Sequence, residues 1–89
     1  MASKKITLEN GFKCKVDPAV LDNMELVELL AVLEDDPLKM PAIINMVLGA
    51  EQKAALYDHI RDDAGRVPVE AVNEAMSDLF TKMGEEAKN

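Results

Sequence analysis

The sequence predicts a mainly α fold: an N-terminal β-hairpin over about 5–16, then a compact bundle of four short helices, in one domain spanning 1–89. Three observations predict it. Apolar and polar residues alternate with period 2 at the N-terminus, the mark of strands with one buried face. Apolar residues recur at helical spacing through the rest of the chain. Gly, Pro and Asp-rich stops divide that remainder into helix-length segments.

Ile6-Thr7-Leu8 and Phe12-Lys13-Cys14-Lys15-Val16 are the alternating runs, joined through Glu9-Asn10-Gly11. An Asn-Gly pair invites a two-residue type I′ turn, but that register sets Glu9 against Phe12 and Leu8 against Lys13. A three-residue loop with Gly11 in the left-handed conformation pairs Leu8 with Phe12 and Ile6 with Cys14. Every apolar side chain then shares one face, so this register is expected. A lone hairpin is marginal in water, so it must lie against the helices.

Asp17-Pro18 offers a turn or helix start near Pro18–Leu21, with Asp as cap and Pro at the first position. Asp22 with Glu25 has capping-box spacing and opens a main helix over about 23–34. Glu34-Asp35-Asp36-Pro37 stops it, since carboxylates oppose the dipole at a helix C-terminus and Pro restrains its predecessor. A second helix is expected over 37–48, with Pro41 tolerated in its first turn. Gly49 is its natural stop. The third is expected over 51–62 and closes at Asp63-Ala64-Gly65. Pro68 opens the fourth, over 68–83, where Val69, Val72, Met76, Leu79, Phe80 and Met83 form an amphipathic stripe. Gly84 is expected to end it, with fraying from Glu85 to Asn89.

The stretch Val20–Leu33 carries more apolar surface than one face needs. Val20, Leu21, Met24, Leu26, Val27, Leu29, Leu30, Ala31, Val32 and Leu33 leave only a narrow polar edge at Asp22, Glu25 and Glu28. A surface helix needs an apolar stripe roughly 100° wide. This one must be covered on several sides, by the rest of the chain or by another molecule.

At 89 residues the chain sits just above the roughly 70–80 at which one core suffices without staples. Its 17 acidic and 10 basic side chains give a formal charge of −7. That argues against nucleic acid and anionic lipid, which require a basic footprint. Cys14 is the single cysteine, so no intramolecular disulfide can form and a reducing compartment is the default. Met-Ala-Ser-Lys-Lys lacks the apolar run of a signal peptide. The longest apolar stretch is too short for a membrane span. The expectation is a cytoplasmic protein without nucleic-acid or membrane partners.

No catalytic, cofactor or metal constellation emerges. His59 is the single histidine, and Asp62 or Asp63 beside it makes only a partial ligand set. Cys14 belongs to the apolar strand face and lacks the orienting group that Cys–His catalysis needs. Asp58 to Gly65 is rich in carboxylates but has neither the Gly nor the Glu spacing of a calcium loop. Glu34-Asp35-Asp36 reads as a helix terminus and cap. The expectation is therefore a non-enzyme with no cofactor. Methionines on the predicted helices, including Met24, Met40 and Met46, fit two readings: core filling, or an adaptable surface for helical partners. If the apolar surplus is exposed, the partner-binding residues are Met24, Val27, Leu30, Met40, Ile44 and Val47.

One resemblance spans most of the chain. The run from Phe12 through Asp17-Pro18 to Asp22 leads into Glu25-Leu26-Val27-Glu28-Leu29-Leu30. It continues through Asp36-Pro37-Leu38 to Leu48-Gly49, and then to Asp63-Ala64-Gly65-Arg66-Val67-Pro68-Val69. This pattern resembles the small tail assembly chaperones of tailed phages and prophages of Gram-positive bacteria. The resemblance implies a non-catalytic protein that binds the helical tape measure protein and keeps it soluble until tube subunits replace it. It also implies that a frameshifted long form can accompany the short one. The same apolar helices could instead serve a small structural or regulatory homo-oligomer through self-association.

Overall fold

A computed structural model describes residues 3–87. Strands β1 (Lys4–Thr7) and β2 (Lys13–Val16) pair antiparallel, with Ile6 opposite Cys14 and Lys4 opposite Val16. The loop is the expected three-residue one. Leu8 N–H donates to Phe12 O (2.8 Å), Gly11 N–H donates to Leu8 O (2.9 Å), and Gly11 takes a φ of 90°. The Asn10 side chain accepts from Phe12 N–H at 2.8 Å, fixing the turn from inside. Ile6, Leu8, Phe12, Cys14 and Val16 consequently all face the core.

Asp17 caps a 3₁₀ turn over Pro18–Leu21, its carboxylate accepting from Ala19 N–H (2.9 Å). Helix α1 (Met24–Val32) begins afterwards, and its cap is Asn23, not the expected Asp22. Asn23 Oδ1 accepts from Glu25 N–H at 3.0 Å, so the amide one residue later takes the place of the predicted box. Val20 and Leu21 thus lie outside α1, which is shorter than the apolar run suggested. Asp36 caps a second 3₁₀ turn, Pro37–Lys39, by accepting from Leu38 N–H (3.2 Å).

The described residues contain three helices, where the sequence predicted four. The expected segments 37–48 and 51–62 form a single element, α2 (Met40–Ile60), with Gly49 as a kink inside it. Gly49 departs from helical geometry (φ 81°, ψ 162°), but strong helix formers from Ala50 to Ala55 resume at once, leaving no connecting loop. Pro41 sits in the first turn, where its missing N–H costs nothing. The last helix, α3 (Val69–Ala87), runs past Gly84 instead of ending there. A mid-helix Gly costs only about 1 kcal/mol, and fully buried Met83 anchors that turn. Of the expected frayed tail, residues 88 and 89 lie outside those described.

The kink carries a testable cost. Gly49 occupies backbone space that is essentially reserved for glycine, and a Cβ added there meets nothing within 4 Å. Gly49→Ala is therefore expected to lose about 1–3 kcal/mol through backbone strain alone, seen as a lower midpoint in thermal melting. An unchanged midpoint would mean that α2 straightens freely and that its neighbours do not hold the kink. Gln52 is one such neighbour. Its amide donates to Leu48 O beside the kink and to Lys15 O, both at 2.9 Å, and accepts from Lys15 N–H at 2.8 Å. One side chain thereby covers the open edge of β2 and ties the hairpin to the kinked helix.

The core draws on every element. Leu26 comes from α1, Ile43, Ile44 and Leu56 from α2, and Met76, Leu79 and Met83 from α3, each essentially inaccessible. Phe80, which the stripe assigns to the same core, is only half-buried. Among the described residues no polar or charged side chain is buried, so packing rather than polar networks holds these layers together. No described helix is long and apolar enough to cross a membrane.

Candidate functional site

Chemistry-bearing residues are tied up in structural duties. Asp78 Oδ2 accepts from Glu9 N–H (2.7 Å), and Lys82 Nζ bridges Asp78 (2.7 Å) and Glu9 (3.0 Å). Hydrogen bonds from Lys82 and the Glu9 backbone hold the Asp78 carboxyl below its usual range, and the same pairing raises Lys82. This cluster clamps the hairpin loop to α3. His59 closes the other side, with Nε2 2.9 Å from Asn10 O and its ring tilted against Phe12, centroids 5.6 Å apart. Burial pushes the Cys14 thiol up, away from the reactive thiolate.

Around Asp62 the carboxylate-rich loop is organised by its own backbone. Asp62 Oδ1 accepts from Ala64 N–H (2.9 Å) and Arg66 N–H (3.0 Å), and Arg61 reaches Asp58 and Gly65 O, both at 3.0 Å. Among the described residues, no group of three or more His, Cys, Asp or Glu is placed to hold a metal ion.

One of the open cavities has mainly apolar walls. A groove of about 330 Å³ runs between the end of α1 and α3. Leu30, Leu33, Pro37 and Met40 form one wall; Asn73, Met76, Ser77 and Phe80 form the other. Local chemistry explains both walls. Asp36 and Pro37 turn the chain sharply after α1, which brings Met40 alongside Leu30 and Leu33. On α3 the four residues follow helical spacing, so they make one ridge at the edge of the buried stripe.

Apolar surface continues beyond the groove. Val27 lies one turn before Leu30 and is 46% exposed; Met24, another turn back, is 68% exposed. Leu38, in the turn between Pro37 and Met40, is 86% exposed. Val69, one turn before Asn73 on α3, is 73% exposed. Contiguous apolar exposure of this kind marks contact surfaces more than isolated residues do.

Four of the six residues predicted to bind a partner belong to this surface: Met24 and Val27 on the exposed flank, Leu30 and Met40 in the groove wall. Ile44 and Val47 do not. They are buried at 0% and 5% exposure, because they lie with Ile43 and Leu48 on the inward face of α2, whereas Pro41, Ala42 and Asn45 take its exposed face. The α3 wall was missed altogether. Its signal was the width of the stripe, which extends from Val72, Leu79 and Met83 to Val69, Met76 and Phe80, more than one buried face requires.

Charge is unevenly distributed along the chain. The charged residues between Lys15 and Lys39 are all acidic: Asp17, Asp22, Glu25, Glu28, Glu34, Asp35 and Asp36. Between Arg66 and Lys82 they are Glu70, Glu74 and Asp78. Lysines gather at the opposite element, with Lys4, Lys5, Lys13 and Lys15 exposed on the hairpin. No protein-family model, no curated protein and no solved structure matches this chain.

Proposed function

We propose that this chain is a non-catalytic tail assembly chaperone that binds helices of a tape measure protein and keeps them soluble in the cytoplasm of a bacterial host. The observation that carries the reading is the open apolar groove between α1 and α3, continuous with exposed Val27 and Met24. Such a groove suits the apolar stripe of an amphipathic helix. Met40 on its wall and Met24 on its flank adapt to varied side chains, which a chaperone facing a long helical client needs. The sequence pattern from Phe12 to Val69 supports the same assignment. The acidic body keeps the loaded complex soluble.

Co-expression with helical fragments of the tape measure protein encoded beside it tests the reading, with size-exclusion chromatography and light scattering as the readout. The expected result is a stable complex holding an otherwise insoluble fragment in solution. If the fragment precipitates and this chain elutes alone as a closed dimer, the apolar surface serves self-association and the chaperone assignment falls.

A further inference from the structure

We propose that the outer edge of β1 accepts one further strand, an extended acidic segment of a partner protein. This surface shares no lining residue with the apolar groove, so it stands apart from the chaperone reading. The ladder leaves the edge unpaired. Leu8 N–H donates to Phe12 O, and in an antiparallel pair such bonded positions alternate with unbonded ones. Ile6 with Cys14 is therefore a bonded pair, while Lys5 with Lys15 and Thr7 with Lys13 are unbonded. Backbone groups at unbonded positions point out of the hairpin. Those of Lys15 meet the Gln52 amide, which satisfies them on the β2 side. Those of Lys5 and Thr7 point away from β2 and meet no partner among the described residues, which makes them a template for a strand. A cavity of about 220 Å³, lined by Lys5, Ile6 and Thr7 with Lys82 and Glu85 of α3, borders this edge.

Charge selects the occupant. Lys5, Lys13 and Lys15 stand on the outward face of the hairpin, away from buried Ile6, Cys14 and Val16, and border one cavity of about 550 Å³. None of the three is ion-paired among the described residues. Lys5 lies directly across from Lys15 at an unbonded position, where side chains stand closest and like charges destabilise. A carboxylate on an added strand, beside Lys5 on the same face, relieves that repulsion and gives specificity. Main-chain bonds to Lys5 and Thr7 hold the strand. A second copy offering its own β1 would instead add Lys4 and Lys5 to the same sheet, the guard that lysines provide on edge strands. A nucleic acid or an anionic membrane is extended, and would also meet the rest of the chain, which is more acidic than the total of −7.

Three capped peptides, titrated into the intact chain and followed by NMR, test the proposal. One alternates Glu with Thr; its twin has Lys for Glu; the third is the Glu peptide with every Glu N-methylated. The residue seated across from Lys5 points both its side chain and its N–H at β1, so N-methylation there removes the bond and keeps the charge. The Glu peptide is expected to bind at least about tenfold tighter than the Lys twin at roughly 50 mM salt, the gap narrowing at about 500 mM. N-methylation should weaken it at least about tenfold, and the amide resonances of Lys5 and Thr7 should shift most. Lys5→Pro removes one free N–H without touching the ladder, and should abolish binding with an unchanged circular dichroism spectrum. Should that variant unfold, the N-methylated peptide decides the matter alone. Equal binding of the N-methylated peptide, or stationary Lys5 and Thr7 amides, would show loose charge attraction and overturn strand addition. Equal affinity for the Glu and Lys twins would overturn the acidic occupant. A dimer in light scattering that dissociates as the Glu peptide binds would put a second copy on the edge, and overturn the proposal too. So would a DNA duplex or phosphatidylglycerol vesicles that bind the chain more tightly than the Glu peptide does.

Discussion

Leu79→Ala is expected to destabilise the protein by about 2–5 kcal/mol, the range for deleting a fully buried leucine. Leu79 has no accessible surface and lies on the buried face of α3, between Met76 and Met83, which are also inaccessible. Three helices and a hairpin share this core, so the cavity has little slack into which to collapse. An 89-residue domain holds roughly 0.05–0.15 kcal/mol per residue, so the loss takes a large share of the total. Its neighbour provides the contrast. Phe80 is the larger side chain, and helical periodicity alone ranks it with the core at about 3–5 kcal/mol on truncation. Half of its role is to wall an open groove, so Phe80→Ala should cost clearly less than Leu79→Ala in urea unfolding. If the two variants lose equal stability, the groove is closed in solution and Phe80 is core.

The hairpin was legible down to its register because period-2 alternation has one solution that buries every apolar residue together. Ile6, Leu8, Phe12, Cys14 and Val16 admit only the three-residue loop. Helix ends were legible wherever a side chain does the capping, as at Asp17 and Asp36, and shifted by a residue where Asp22 and Asn23 compete for the same task. The number of helices was not. Gly49 looks like a terminator in sequence, yet whether the chain turns away or resumes depends on Gln52 and on the hairpin against which the second half packs. The site was half legible for a related reason. Apolar surplus in Val20–Leu33 and Met40–Leu48 signals that something must be covered, but not which side is already covered. Ile44 and Met40 have nearly the same helical phase one turn apart, yet Ile44 is wholly buried and Met40 lines a groove whose other wall, on α3, lies far away in sequence.

That difference sets the second large effect. Met40→Asp is expected to leave the protein folded and to abolish its ability to hold a tape measure fragment in solution. Met40 is half-buried in the first turn of α2, where a carboxylate is compatible with the positive end of the helix dipole. In the free protein that carboxylate can turn toward water. With a helix seated in the groove it is desolvated among Leu30, Leu33 and Phe80. Placing an unpaired charge in such an interface costs about 2 kcal/mol or more, at least about thirtyfold in affinity. Ile44→Asp, one turn on, is the control: its side chain is wholly buried, so the charge has no route to solvent and the variant should unfold. Circular dichroism and co-expression separate the outcomes. An unfolded Met40→Asp would place Met40 in the core with Ile44. A folded Met40→Asp that still keeps the fragment soluble would move the client off this groove and onto another face of the protein.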